Sequence, residues 1–186
     1  MDITENDYKT DVKHQLVEAH ARVVYTYTAH HKDADYLIAK DNVLRISQII
    51  LTAISASGFF ATIIGNQAYL CIIAGLAAAV SLGLNLYTKD FKPHLDAQEH
   101  KSAADELWLV REQYISLITD LNVLDNAEII KRREAIQNLI SDINKRYKGT
   151  SRRGYKKAQK ALKKEEEQFF NEGEAEQMLP AHLRKE

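Results

Sequence analysis

The sequence contains one cysteine, two prolines and one tryptophan among 186 residues. Its single cysteine, Cys71, excludes an internal disulfide and any metal site built from several cysteines. The opening segment, MDITENDYKTD, lacks the basic start and apolar core of a secretory signal. We therefore expect the bulk of the chain to occupy a reducing compartment, and any membrane insertion to use an internal segment.

Motifs of catalysis and cofactor binding are also missing. The chain has no glycine-rich phosphate loop, no nucleophile motif and no recognisable acid pair, so we expect neither enzymatic activity nor a cofactor. His14, His20, His30 and His31 form no i, i+4 pair on one helical face, which favours surface or interface positions over metal binding. The net charge of −1 gives no overall argument for a polyanionic partner.

Charge is absent from one long interval, the apolar block of residues 46–88. All 25 basic and 26 acidic side chains lie outside it. Its two parts, 46–64 and 68–87, are each long enough for a transmembrane helix, which needs about 20 apolar residues. The turn signal Gly65-Asn66-Gln67 separates them. This pattern predicts an antiparallel transmembrane hairpin.

The principal alternative is that the apolar block forms the buried core of a soluble bundle. Several hydroxyl and amide side chains in its first half slightly favour this alternative. Against it, buried helices of small domains usually keep a polar stripe toward water. The remaining residues are also few for enclosing two helices that are apolar all round.

Basic residues flank the apolar block at both ends. Lys40 and Arg45 precede it, Lys89 and Lys92 follow it, and the connecting turn carries no charge. Because basic flanks stay in the cytoplasm, we expect a two-pass protein with both termini cytoplasmic.

The first predicted span has two distinct faces. At 100° per residue, an arc of about 80° holds a polar stripe with one phenylalanine: Gln48, Thr52, Ser55, Phe59 and Thr62. Small residues lie on the opposite side and recur along the second span: Ala53, Ser57, Ala61, Gly75, Ala79 and Gly83. In one interpretation the small faces pack the spans together, and the polar groups bond to each other or to backbone carbonyls. In the other, several chains assemble around a pore lined by the polar stripe, with Phe59 as an apolar constriction.

Amphipathic helical patterns flank the apolar block. Residues 8–44 form one predicted helix that continues into the first span, and residues 93–186 contain further helices and a charged tail. Asp125 is a predicted N-cap, and a last helix is predicted from Tyr155 to about Asn171. The chain shows no strand pattern, repeat or linker. We therefore predict an all-α single domain whose cytoplasmic helices form a bundle, within one chain or between subunits.

The segment 145–164 holds ten Lys or Arg residues and no acidic residue. The candidate basic patch within it comprises Arg152, Arg153, Lys156, Lys157 and Lys160. Three interpretations remain open: a solvated charged face, a contact with the anionic cytoplasmic leaflet, or a site for a phosphate-bearing ligand or nucleic acid. Nucleic acid has the least support, since only Tyr147 and Tyr155 could stack on bases there.

Four segments follow one another in a recognisable order. A long helix, DVKHQLVEAHARVVYTYTAHHKDADYLIAK, leads into the hairpin ISQIILTAISASGFFATIIGNQAYLCIIAGLAAAVSLGLNLYT. The helix after the second span, KDFKPHLDAQEHKSAADELWLVREQYISLITDL, has a tryptophan at its centre, and a further helical tail follows. Over residues 10–150 this arrangement resembles the SLATT family, the two-transmembrane effector domains associated with nucleotide-signalling and related conflict systems in bacteria.

The resemblance implies an effector of bacterial antiviral defence in the inner membrane. Such a protein would oligomerise and form a pore or permeabilise the membrane, so that the infected cell dies or stops growing. The trigger would be a separately encoded sensor or a nucleotide signal, since we expect no fused sensor from these residues. The expected partners are therefore the lipid bilayer, further copies of the chain and an activating partner. The alternative function is a non-conducting anchor whose cytoplasmic helices recruit a soluble protein.

Overall fold

The computed structural model describes the backbone of residues 5–65, 68–180 and 184, and the side chains of residues 7–61, 69–180 and 184. The helices in this part of the chain are α1 (Glu5–Gly65), α2 (Ala68–Asp90), α3 (Pro93–Asp120), α4 (Asn126–Arg146), α5 (Arg152–Lys164) and α6 (Glu174–Gln177). The same residues contain no β-strand, so the predicted all-α class is confirmed for them. The chain forms two compact units, a charged bundle of Met1–Asp33 with His100–Glu186 and an apolar hairpin of Ala34–Glu99.

The apolar hairpin contains the two long apolar helical segments. Helix α1 passes from the predicted cytoplasmic helix into the first predicted span without interruption. Helix α2 covers the second predicted span and continues to Asp90. Both helices are long and apolar enough to cross a membrane. Asn66 and Gln67 of the predicted turn lie outside the described residues.

One apolar face from each of α1, α3 and α4 forms the core of the charged bundle. Leu16 of α1, Leu107 and Leu117 of α3, and Ile129 of α4 are each at most 2% exposed. Further core residues recur along these helices at helical spacing, so each helix directs one stripe inward. Burial of one such side chain stabilises the fold by about 1.5–3 kcal/mol.

Capping residues determine where α4 and α5 begin. Asp125 accepts a hydrogen bond from the backbone N–H of Glu128 at 2.8 Å, which confirms the predicted N-cap. Ser151 accepts a hydrogen bond from the backbone N–H of Gly154 at 2.9 Å, and α5 begins at Arg152. The expected start at Tyr155 is therefore wrong, because the serine cap lies earlier in the chain.

The expected end of the last helix near Asn171 is also wrong, because α5 ends at Lys164. Beyond it, Glu166 and Gln168 have φ values of 51° and 69°, in the left-handed region that an α-helix does not contain. Contacts with α1 hold this segment in place. Lys32 Nζ lies 2.7 Å from Glu167 Oε1, and Gln168 Nε2 donates to Thr28 Oγ1 at 3.2 Å.

Candidate membrane hairpin and basic helix

Large apolar side chains cover the outside of the apolar hairpin. The exposed ones are Val43, Ile46, Ile49, Ile50, Ile54, Phe59, Phe60, Tyr69, Ile72, Ile73, Leu76, Val80, Leu82, Leu86 and Tyr87. In the most apolar stretch of α1, no residue is buried. In the most apolar stretch of the second candidate membrane-spanning segment, which begins at Tyr69, 17% of the residues are buried. An apolar surface of this extent is unfavourable in water and compatible with lipid. The exposure opposes the alternative in which the apolar block is the buried core of a soluble bundle.

Small residues bring the two helices of the hairpin together. A Cβ atom added at Gly58 would lie 2.8 Å from the Cβ atom of Ala74 and 3.3 Å from the carbonyl oxygen of Leu70. Ala74, Ala77 and Ser81 are buried, at a spacing that keeps them on one face of α2. The close approach of the helices therefore depends on Gly58, because a side chain there would need the space that Ala74 occupies.

The polar stripe of α1 forms hydrogen bonds with α2. Gln48 Nε2 donates to Thr88 Oγ1 at 3.2 Å, and Thr52 Oγ1 lies 3.5 Å from Ser81 Oγ. The Thr52 hydroxyl also donates to the backbone carbonyl of Gln48 at 2.8 Å. These bonds are of the two kinds that the packing interpretation expects, between polar side chains and to backbone carbonyls.

Three members of the same stripe, Thr52, Ser55 and Phe59, line a groove between α1 and α2 with a volume of about 500 Å³. The polar and aromatic side chains that line it are Thr52, Ser55, Phe59, Phe60, Ser81 and Asn85. Phe59 is 60% exposed, so its ring is accessible beside the groove. The side chain of Thr62, the last predicted member of the stripe, lies outside the described residues. The groove places several polar groups and two aromatic rings in an otherwise apolar surface.

The predicted small-residue face is turned away from the contact between α1 and α2. Apart from their own helix, no described atom lies within 4 Å of a Cβ placed at Gly75 or Gly83. The other members of this face are the half-buried Ala61 and the exposed Ala53, Ser57 and Ala79. Within one chain, the contact is instead made around Gly58 and Ala74. A role of the small face in contacts between chains stays a prediction.

One cation and two aromatic rings lie together at the charged end of the hairpin. Lys40 Nζ lies 4.1 Å from the ring centroid of Phe91 and 5.8 Å from that of Tyr87. It also donates a hydrogen bond to the Tyr87 hydroxyl at 3.3 Å. Basic and aromatic side chains of this kind are typical of the boundary between membrane and water.

Helix α5 has one buried apolar face and one exposed basic face. Its buried residues are Gly154, Ala158, Ala161 and Leu162. All members of the predicted basic patch are exposed: Arg152, Arg153, Lys156, Lys157 and Lys160. Lys160 forms an ion pair with Glu165, which compensates part of the positive charge. The three interpretations of the patch, a solvated face, a contact with the anionic leaflet or a site for a phosphate-bearing ligand or nucleic acid, stay open.

His30 is buried in the charged bundle, where it is 5% exposed. Its Nδ1 atom lies 2.8 Å from Nδ1 of His100, which belongs to α3. Burial, together with the neighbouring His100, lowers the pKa of His30 to about 4. Of the expected surface or interface positions, the surface position is wrong for His30, because a residue 70 positions away supplies its partner in the core.

A comparison with protein-family models matches residues 12–174 to the SMODS and SLOG-associating 2TM effector domain family 4. The chain belongs to this family. The match confirms the resemblance to the SLATT proteins. A search of curated proteins and a search of solved structures found no match.

Membership makes this SLATT protein a two-transmembrane effector of the membrane. Helices α1 and α2 are the two helices with suitable length and composition among the described residues. The family description also associates these effectors with SMODS and SLOG partners.

Sequence reasoning missed the contribution of α2 to the groove of this SLATT protein. Ser81, Asn85 and Thr88 recur at spacings of four and three residues, which places them on one face of a helix. Thr88 and Ser81 form hydrogen bonds with the stripe on α1, and Asn85 lines the groove beside it. The available signal was therefore a second polar stripe, matching the first in period.

Proposed function

We propose that this protein is a non-enzymatic, pore-forming effector of bacterial antiviral defence in the inner membrane, with both termini in the cytoplasm. Several copies assemble in the bilayer, and a separately encoded sensor or a nucleotide signal activates the assembly. The open assembly then permeabilises the membrane, and the infected cell dies or stops growing. Membership of a family of two-transmembrane effectors supports this class of function.

The observation that carries the proposal is the polar groove in the apolar hairpin. Polar side chains are costly in hydrocarbon unless they are hydrogen-bonded or face water. In a ring of hairpins whose grooves face a shared axis, Thr52, Ser55 and Asn85 line the water-filled path. Phe59 then supplies the apolar constriction that closes the path by dewetting.

The exposed small-residue face supports assembly between copies. Gly75, Ala79 and Gly83 recur every four residues on α2, and they leave the backbone accessible on that side. In lipid, such a face allows the backbones of neighbouring chains to approach closely and to gain packing energy. The contact around Gly58 within each hairpin is separate from this face, so both contacts can form at once.

A non-conducting anchor that recruits a soluble protein is the second candidate function. The bonds of Gln48 to Thr88 and of Thr52 to Ser81 favour it. They satisfy polar groups of the stripe inside one hairpin, without water and without a second copy.

Cysteine labelling in cells separates the two candidates. Cys71 is exposed and is first replaced by serine, and single cysteines are then introduced as Thr52→Cys, Ser55→Cys and Ile50→Cys. Ile50 is the matched control, because it is exposed and lies about 160° from Thr52 on the same helix. Cells that have lost their membrane potential are the ones in which the proposed pore is open. If the groove lines that pore, a membrane-impermeant thiol reagent should label the groove positions in these cells and leave the control position unlabelled. Absence of labelling at both groove positions in depolarised cells contradicts the pore and favours the anchor.

A further inference from the structure

A cavity of about 340 Å³ opens between three helices of the charged bundle. Helices α1 and α4 form its walls, and the buried Leu107 and Tyr114 of α3 form its floor. The volume lies within the range of about 300–1,000 Å³ that is usual for small-molecule sites. Neither the polar groove of the apolar hairpin nor the basic patch of α5 contributes a residue to this cavity.

The hydroxyl of Tyr114 is an unbonded polar group in the cavity. Tyr114 is 2% exposed, yet its hydroxyl has no hydrogen-bond partner among the described residues. Unlike the sealed polar atoms elsewhere in the bundle, the hydroxyl keeps a surface that a molecule in the cavity can reach. Burial raises the pKa of Tyr114, so the hydroxyl keeps its proton at neutral pH and is a donor. Buried polar groups are nearly always bonded, so this donor indicates an acceptor in the cavity.

Arg133 supplies positive charge at the cavity. It is half-buried, and its guanidinium donates a hydrogen bond to Gln15 Oε1 at 3.1 Å. No acidic side chain pairs with Arg133 among the described residues. Arg22, the other cation that lines the cavity, forms an ion pair with Glu18, which compensates its charge. The excess of positive charge therefore suits a singly charged anion.

Amide groups add further donors around the cavity. Because Gln15 Oε1 accepts a hydrogen bond from Arg133, the amide nitrogen of Gln15 remains as a donor. Gln137 and Asn144 lie on the same face of α4 as Arg133, and both line the cavity. Hydroxyl, guanidinium and amide donors thus surround one space. An ionised carboxylate, which only accepts hydrogen bonds, matches this set.

Apolar side chains cover much of the inner surface of the cavity. Leu16, Val23 and Leu107 are each at most 4% exposed, and all three line it. Apolar surface gains free energy when it leaves water. A hydrocarbon body attached to the anion therefore binds this surface favourably, whereas a hydrated phosphate group does not.

We propose that this cavity binds a small organic acid, a monocarboxylate with an apolar body. Its carboxylate pairs with the Arg133 guanidinium, and one of its oxygens accepts a hydrogen bond from the Tyr114 hydroxyl. Its apolar body covers Leu16, Val23 and Leu107. The inference goes beyond the proposed function, because the site requires neither a pore nor a nucleotide signal.

Occupancy of the cavity stabilises the arrangement of three helices. A ligand in this position contacts α1, α3 and α4 at once, and the unfolded chain offers it no such site. A ligand that binds only the folded state stabilises that state by mass action. We therefore expect a saturating organic acid to raise the midpoint of thermal unfolding of the charged bundle.

Calorimetric titration of the full chain in phosphatidylcholine nanodiscs tests the inference, with empty nanodiscs as the blank for acid that dissolves in lipid. The acids are 3-phenylpropionate and phenylpyruvate. We expect at least one of them to bind with a dissociation constant below about 1 mM. The comparison ligands are 3-phenylpropanamide, which lacks the charge, and acetate, which lacks the apolar body. Each should bind about tenfold more weakly than the better acid.

Two substitutions test the residues that hold the carboxylate. Tyr114→Phe removes the hydroxyl and keeps the ring in the core, and Arg133→Gln removes the charge. Each should weaken binding of the better acid by about tenfold. Arg132→Gln is the matched control, since Arg132 is the neighbouring arginine on α4 and does not line the cavity. Circular dichroism checks that each variant keeps its helices.

Four results would overturn the inference. The first is no binding of either acid above the blank at millimolar concentration. The second is unchanged binding in both Tyr114→Phe and Arg133→Gln, or equal weakening by Arg132→Gln and Arg133→Gln. The third is the amide or acetate binding as tightly as the better acid. The fourth is AMP or inorganic phosphate binding more tightly than either acid, which assigns the cavity to a phosphate ligand. Since no conductance is measured, each of these results leaves the proposed function unaffected.

Discussion

Asp33 accepts two hydrogen bonds from Ser151, from its backbone N–H at 2.6 Å and from its hydroxyl at 2.5 Å. Asp33 belongs to α1 and is 3% exposed, and Ser151 is the N-cap of α5. A Cβ atom added at Gly154 would lie 2.5 Å from the Asp33 carboxylate. The start of the basic helix is therefore held against α1 by a buried carboxylate that occupies the space of a missing side chain.

The first prediction concerns this contact. Gly154→Ala should destabilise the charged bundle by about 1–3 kcal/mol, because overlap with the carboxylate outweighs the higher helix propensity of alanine. The measurement is urea unfolding in detergent, followed by circular dichroism. Gly149→Ala is the control and should change stability by less than about 0.5 kcal/mol, since no described atom lies within 4 Å of a Cβ there. Equal stability of the two variants would contradict this prediction, because it would show that the Asp33 side chain can move aside without loss of stability.

The second prediction separates contacts within the hairpin from contacts between chains. Gly58→Leu should disrupt the hairpin itself, because the new side chain overlaps Ala74. Gly75→Leu should leave the hairpin folded and reduce the oligomer severalfold, because Gly75 faces outward. Chemical crosslinking in native membranes measures the oligomer, and protease resistance measures the hairpin. A Gly75→Leu variant that crosslinks like the wild type would exclude this face from assembly.

The third prediction concerns ion flux through the groove. Thr52→Leu should reduce depolarisation severalfold after induced expression, because it removes a hydroxyl from the predicted path. Phe59→Ala should increase leakage severalfold, because it removes the predicted constriction. Ile50→Ala, on the opposite face, should behave like the wild type. A voltage-sensitive dye follows depolarisation, and unchanged flux in both groove variants would count against the pore.

The fourth prediction is a dependence of stability on pH. The pKa of His30 is about 4 in the folded bundle and about 6.5 in its ordinary state, so between these values the unfolded chain binds more protons. Stability should therefore fall as the pH falls from about 6.5 to about 4. Thermal unfolding across this range measures the effect. His30→Gln should reduce the slope and leave the smaller part due to His20, whose pKa burial also lowers, whereas His14→Gln should retain the full slope, because His14 is exposed. A wild-type profile without a slope in this range would refute the assignment.

Local patterns predicted the helices well, because the information lies within each segment. The cap at Asp125 needs only the short sequence that follows it, and the apolar face of α3 follows from residue spacing. The length of the uncharged block likewise predicted both apolar helices.

Contacts between distant segments could not be predicted in this way. The spacing on α1 allowed either the polar stripe or the small face to meet α2, and the outcome depends on how Gly58 fits Ala74. The position of α5 against α1 depends on Asp33, which is 118 residues away from its partner Ser151. The segment after α5 lies against α1, where Lys32 pairs with Glu167, 135 residues away. None of these pairings leaves a periodic signal in the sequence.

The close grouping of Lys40, Tyr87 and Phe91 has a consequence for the membranes that suit this protein. From Arg45 to the end of α1 at Gly65, about twenty residues rise about 30 Å, the thickness of an ordinary hydrocarbon core. An upright hairpin therefore has little spare length with which to tilt. In a thicker bilayer, hydrophobic mismatch would draw the cation and its rings inward, whereas a thinner bilayer would let the hairpin lean. We therefore expect the activity of this effector to depend on bilayer thickness.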